Sequence, residues 1–255
     1  SSYNSLQVQL RHNVGKLDVE ANYTWAHEFD DEVNFLNNFS NPYDPRYDLG
    51  QGDIDVRQSL TGSVVYNFTD LKGHNGLMRN VLGGWQTSSI VQTRSGDSVN
   101  PTISGGGIFG LSTRPDYTGA PVRLSNFSWP LHSYNVNAYA VPAGFNGVPG
   151  DPSTLGNVGR NSLRGPGFFQ WDFSGMKNFP LTEKAKLQFR GDLFNILNHP
   201  NFGNPGVGIC NSFSVFGCAP NLNFGQVGQT IADEDASQVG TGTARQIQLA
   251  LKVIF

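Results

Sequence analysis

Charge is scarce in this chain of 255 residues: Asp, Glu, Lys and Arg make up 15% of it, against about a quarter in an average globular protein. The formal net charge is -3 and the basic residues are scattered, so no electropositive face is available for nucleic acid or an anionic membrane surface. No apolar run approaches the ~18 to 20 residues of a membrane-spanning helix, which leaves a β-barrel as the remaining way to cross a bilayer. Cysteine is nearly absent. Cys210 and Cys218 stand in a loop sequence rich in Phe, Ser and Gly, with no second Cys or His cluster nearby to complete a zinc site. They read as a candidate loop disulfide of an oxidising compartment. Catalytic signatures are missing as well. There is no G-x-S-x-G elbow and no H-E-x-x-H, and His12, His27, His74, His132 and His199 are spread through the chain. The expectation is a protein without enzymatic activity or cofactor.

Glycine (31 residues) and phenylalanine (18) are plentiful, and Asn, Ser and Thr crowd the gaps between apolar runs. Those runs alternate with period two, as a strand with two unlike faces requires. Leu6, Val8 and Leu10 oppose Gln7, Gln9 and Arg11. After Gly15-Lys16, a tight hairpin turn, Leu17, Val19, Ala21, Tyr23 and Trp25 oppose Asp18, Glu20, Asn22 and Thr24. Further strands are expected over about Val56 to Phe68, Gly84 to Arg94, Phe168 to Phe179 and Ala185 to Leu197. The last strand carries Ile247, Leu249, Leu251, Val253 and Phe255 on one side, and Gln246, Gln248, Ala250 and Lys252 on the other.

Most of these segments exceed the ~5 to 6 residues of an ordinary strand and suit a tilted bilayer crossing of roughly 9 to 11. Their connections alternate between shorter (around residues 15–16, 69–83 and 180–184) and longer (around 30–55, 95–167 and 198–243). Outer-membrane barrels sort their loops this way, with short periplasmic turns and long extracellular loops. Aromatics near the strand ends, among them Trp25, Tyr66, Phe68, Trp85, Phe179 and Phe255, fit interfacial girdles. The fold expected over residues 1–255 is therefore all-β: an antiparallel transmembrane β-barrel segment of about seven or eight long strands with long extracellular loops. Seven is odd, whereas such barrels have even numbers, so upstream strands are expected before Ser1, unless Ser133 to Val141 supplies one instead of a loop hairpin arm.

Several segments carry a family likeness: "YNSLQVQL" from Tyr3, "NYTW" from Asn22, "GRNSLRGPG" from Gly159, "KNFPLTEK" from Lys177 and "LQFRGDLFNILNHPNFGNP" from Leu187. Together they resemble the C-terminal barrel of TonB-dependent receptors, in particular the Oar-like, acidobacterial type with a carboxypeptidase-regulatory-like N-terminal domain. That resemblance implies uptake of a bulky nutrient across the outer membrane of a Gram-negative bacterium. The expected partners are outer-membrane lipid, the barrel-assembly machinery and, only through a plug that this sequence does not contain, the TonB complex. It also implies that Phe255, with Val253, Leu251 and Leu249, forms the terminal signal read by the assembly machinery. Glu20, Asn22, Arg190 and Asp192 would line the lumen of the complete barrel. The alternative is a secreted or cell-surface β-protein that binds carbohydrate through its loops or self-associates through open sheet edges.

Three polar clusters are weighed against plainer readings. His27 with Glu28, Asp30 and Asp31 could hold a cation, as could Asp44, Asp48, Asp53 and Asp55, yet the second group lacks the calcium-loop frame and both read as solvated acidic loops. Ser162 between Arg160 and Arg164 could meet an anion, but the adjoining glycines and Pro166 read as a turn. The glycine run Ser104 to Gly110 has no following Lys and helix, which makes it an external loop and no phosphate cradle.

Overall fold

The computed structural model describes residues 1–31, 40–41, 43–69, 73, 76–103, 114–144, 155–214, 217–231, 242 and 244–255. The chain opens with the hairpin β1 (Ser2–Val14) and β2 (Leu17–Asp30), turned at Gly15 with φ +60°. The short β3 (Gly50–Gln51) extends the far end of β2, followed by β4 (Gln58–Asn67), a helix α1 (Gly76–Leu82) and β5 (Trp85–Arg94). The next connection contains β6 (Ser98–Val99), β7 (Asp116–Tyr117), β8 (Arg123–Ser128), β9 (His132–Tyr134), β10 (Tyr139–Ala140) and β11 (Leu163–Arg164). Then come β12 (Phe168–Pro180), β13 (Lys186–Phe194), the small hairpin β14 (Cys210–Ser214) and β15 (Gly217–Pro220), and finally β16 (Gln246–Ile254).

Seven of these strands, each of 9 to 14 residues, form one antiparallel meander in the order β1-β2-β4-β5-β12-β13-β16. Every long strand pairs with its neighbours along the chain, so the sheet is all-β and antiparallel as the alternation predicts. It stays open: β1 and β16 are its two edges. Residues 133–141 are not a spanning strand. They supply β9, a 3-10 turn (Val136–Ala138) and β10, arms of loop pairings with β8 and β7. The expected sixth strand is shortened to end at Phe194, because Asn195 and Asn198 adopt φ of +47° and +53°. Fully buried Asn195 then accepts the His199 amide at 2.9 Å and donates to the His199 carbonyl at 2.8 Å. A β-turn, in which the Asn198 amide donates to the Asn195 carbonyl at 2.8 Å, replaces the strand there.

The pairing register keeps like faces together. Leu10 opposes Ala21, Val8 opposes Tyr23, Val19 opposes Val64, Trp171 opposes Val91, and Phe189 opposes Leu251. The alternate positions place Glu20 beside Ser63, Thr61 beside Gln92, Asp172 beside Ile90, and Arg190 beside Met176 and Ala250. One face is thus mostly apolar over the sheet as a whole, although β5 adds Thr87, Ser89 and Thr93 to it, and the other is mostly polar. Most of the apolar face is bare among the described residues: Leu6, Leu10, Val64, Leu249 and Leu251 are all exposed.

A meander sends alternate connections to opposite ends. Residues 15–16, 68–84 and 181–185 turn at one end, while the long segments 31–57, 95–167 and 195–245 gather at the other. The hydrophobic core lies in this second group and not in the sheet. Val99, Ile103, Tyr134, Ala138, Tyr139, Val158, Leu163, Ile209, Cys210 and Phe224 form it, and all ten come from two loops.

Candidate functional site

Short pairings frame the loop cap. Val99 opposes Leu163, Tyr117 opposes Tyr139, and Thr102 bridges Gly208, which joins the 95–167 segment to itself and to the 195–245 segment. Phe127, Trp129 and Tyr134 pack as an edge-to-face trio with centroids 5.5 to 5.9 Å apart. The Cys210–Cys218 disulfide closes the base of the β14–β15 hairpin, with Cys210 in the core. Close backbone approach is built in at Gly50, where an added Cβ would stand 2.8 Å from the Arg160 Cβ.

Ion pairs bind the 31–57 segment to this core. Arg160 donates to Asp30 and, at 3.0 Å, to Asp53, while Asn161 donates to the Gln51 carbonyl at 2.7 Å. Arg114, itself 2% exposed, donates to the buried Asp48 at 3.1 Å and lies 3.9 Å above the Tyr47 ring, whose hydroxyl donates to the Gly156 carbonyl at 2.7 Å. Asp55 is the centre of the set. It accepts from the Glu28 amide at 2.7 Å, His27 Nδ1 at 3.3 Å, Arg57 Nε at 2.8 Å and Arg164. Burial alone would raise its pKa, but these four donors outweigh burial and hold the carboxyl down at about 2. Arg160 moves upward: burial works against its charge, and Asp30 and Asp53 overcome it.

These partners revise the readings of the polar clusters. Asp48 and Asp55 are 0% and 2% exposed and lie against arginines, whereas Asp44 and Asp53 are exposed, so the acidic segment is solvated only in part. His27 is spoken for by Asp55 and Arg57, and Asp30 by Arg160. No group of His, Cys, Asp and Glu among the described residues is placed to hold a metal ion. The "GRNSLRGPG" segment does turn into β12, yet its two arginines are latches to carboxylates. The glycine run 104–110 and His74 lie outside the described residues.

Two neighbouring clefts open in the cap on either side of Asn157, Val158 and Gly159. One, of about 290 Å³, is lined by Tyr117, Val122, Tyr139 and Ser162; the other, of about 420 Å³, by Asn41, Tyr47 and Arg114. Tyr139 is mostly buried, and burial, reinforced by Tyr134 and Tyr117, pushes its phenol up to about 12. Its hydroxyl, neutral at physiological pH like that of any tyrosine, can both donate and accept a hydrogen bond.

A sheet of long strands with a bare apolar face, a polar face and loops sorted by length is organised for a bilayer. Residues 1–248 match the family described as outer membrane beta barrel domain. The chain belongs to that family. No curated protein and no solved structure matches it. As an outer-membrane barrel domain of a Gram-negative bacterium, it presents its apolar face to lipid and its loop cap outside the cell. Glu20, Asn22, Arg190 and Asp192 all lie on the polar face. Leu249, Leu251 and Val253 lie on the lipid face, exposed by 69, 68 and 50%, and Phe255 follows the strand at 96% exposure.

Sequence reasoning missed the latch. Both halves were visible as an acidic segment and an Arg-flanked glycine motif, but their partners are more than 100 residues apart.

Proposed function

We propose that this domain is the C-terminal part of a TonB-dependent receptor, the whole protein taking up a bulky nutrient without catalysing a reaction on it. The observation that carries this reading is the cap: two long loops folded around a core of their own, with the third latched to them by ion pairs, at the extracellular end of a barrel sheet. A passive pore has no need of such a structure, whereas a receptor needs a shaped surface to select its ligand before transport. The polar face, with Glu20, Asn22, Arg190 and Asp192, lines the path of the completed barrel. The neutral Tyr139 and the clefts beside it suit an uncharged, hydroxyl-bearing ligand better than an anion, since the nearby arginines are already paired.

The test uses the full-length gene product in its own host. Deleting the gene is expected to abolish growth on one bulky nutrient of a panel, restoration to require an energised inner membrane, and a protonophore to stop uptake of that nutrient at once. Unchanged growth on every nutrient, or uptake indifferent to the protonophore, would overturn the reading. In the same proposal the assembly machinery engages β16, whose outer edge is unpaired among the described residues and whose apolar positions end at Phe255.

A further inference from the structure

The connection between β4 and β5 is the longest at the periplasmic end and carries the helix α1, Gly76–Leu82. Met78, Val81 and Leu82 are 41, 54 and 56% exposed. Their spacing of three and four residues puts them on one side of the helix. Three exposed apolar side chains on a helix of two turns need a cover. What the helix is fastened to identifies that cover.

The end of α1 is held by two side chains of the lipid-facing sheet surface. Trp85 Nε1 donates to the Val81 carbonyl at 2.8 Å, and Lys177 Nζ donates to the Gly83 carbonyl at 2.5 Å. These acceptors belong to the final turn and the residues just after it, where a helix leaves carbonyls unsatisfied and attracts positive charge. Trp85 and Lys177 are register partners, and Lys177 in turn opposes Phe189, so all three lie on the apolar face. The Trp85 ring runs along that face: a Cβ added to Gly175 would meet it at 3.8 Å, and the Phe189 ring stands edge-on at 6.3 Å. Lys177, only 4% exposed, is covered by Trp85 and Phe179, whose ring centroids lie 5.5 and 5.2 Å from its ammonium. Beside them Tyr66 and Phe68 pack edge to face at 4.7 Å. This is an aromatic belt at the periplasmic rim.

We infer that α1 is an interfacial helix, docked on the outside of the barrel wall and laying Met78, Val81 and Leu82 into the headgroup and acyl boundary of the periplasmic leaflet. The partner is lipid, because the helix continues the surface that the barrel already gives to lipid. Its Trp85 and Lys177 tethers come from that surface. The domain then grips the membrane rim with a helix as well as with its aromatic belt.

The test places an environment-sensitive fluorophore on Val81→Cys in the full-length gene product, with the Cys210–Cys218 disulfide left oxidised. The protein is reconstituted in vesicles of phosphatidylethanolamine and phosphatidylglycerol with a share of acyl-brominated lipid. Lys184→Cys, in the exposed turn at the same end, is the aqueous reference. The label at position 81 is expected to emit further to the blue and to lose at least half its intensity to brominated chains. Iodide present on both sides of the membrane should quench it several-fold less than the label at 184. Quenching of both labels alike by iodide would overturn the inference. Adding Trp85→Phe keeps an aromatic ring but removes the donor to Val81, and iodide access at 81 should rise towards the value at 184. Unchanged access would overturn the tethering by Trp85. If Val81→Cys does not fold, Leu82→Cys carries the same label and the same criteria.

Discussion

The sheet and the loop cap bury opposite things. In the sheet the large apolar residues face outward, with Leu10 at 60% and Leu249 at 69% exposure, while the cap hides Ile103, Leu163 and Ile209 at 3% each. The cap also buries charge, holding Asp48, Asp55, Arg114 and Arg160 nearly out of solvent. The difference follows from the solvent each part meets. Lipid covers the sheet's apolar face, so packing there is supplied by the bilayer, and the strands need only satisfy their own backbone groups. The cap stands in water and must make a core from its own loops, as any soluble fold does. One chain therefore obeys two sets of rules, and the boundary falls where the long strands end.

Substitutions that create a cavity should separate the two parts most sharply. Phe224→Ala removes a ring that is 5% exposed and packed 5.4 Å from Tyr139, and it is expected to destabilise the cap by about 3–5 kcal/mol. Val64→Ala, on the lipid face, should cost well under half as much. Thermal melts followed by near-ultraviolet circular dichroism in detergent check this, and equal losses would remove the distinction between the regions. A charge reverses the ranking. Val64→Arg near the middle of β4 is expected to cost about 2–4 kcal/mol in a bilayer, whereas Ser63→Arg, one residue away on the polar face beside Glu20, should cost close to nothing. Urea titrations of folding into vesicles read both, and a similar cost at the two positions would mean that the faces have been assigned wrongly.

Replacing Cys218 by Ser opens a loop spanning a sequence separation of 8. The chain-entropy estimate for so short a loop is about 2–3 kcal/mol, and the loss should fall on the cap alone. Limited proteolysis is the measurement: new cuts are expected in the cap, with the sheet fragment still intact.

What could be read in the sequence follows the same division. Alternation is local, so β1, β2, β12 and β16 are legible from a few residues each, and the sorting of loop lengths shows which end is which. The register followed as well, because a slip by one position would turn every apolar side chain into the lumen. The cap was not legible. Its contacts join residues such as Arg160 and Asp53, 107 positions apart, and no period or motif links them. The end of β13 was hidden for a different reason: Leu193 to Leu197 keep an apolar rhythm, but Asn195 takes a left-handed conformation and fills its own hydrogen bonds. The acidic segment was misjudged because exposure is a property of the partners, and these were out of sight.

The smallest expected effect probes the charged latch of the cap. Asp55 has its carboxyl held down at about 2, below the value of about 3.9 for a free aspartate. A depressed acid adds stability that is complete above its unfolded value and disappears as pH falls through its folded value. The latch should therefore be at full strength at pH 5 and above, weaken below about pH 4 and be largely lost near pH 2. At the scale of 1.36 kcal/mol per unit, the contribution is roughly 2 kcal/mol. Asp55→Asn should flatten that part of the profile, since an amide does not titrate in this range. Cap stability measured against pH for the two proteins gives the answer. Parallel curves between pH 5 and pH 2 would show that other carboxylates, and not Asp55, govern how the cap responds to acid.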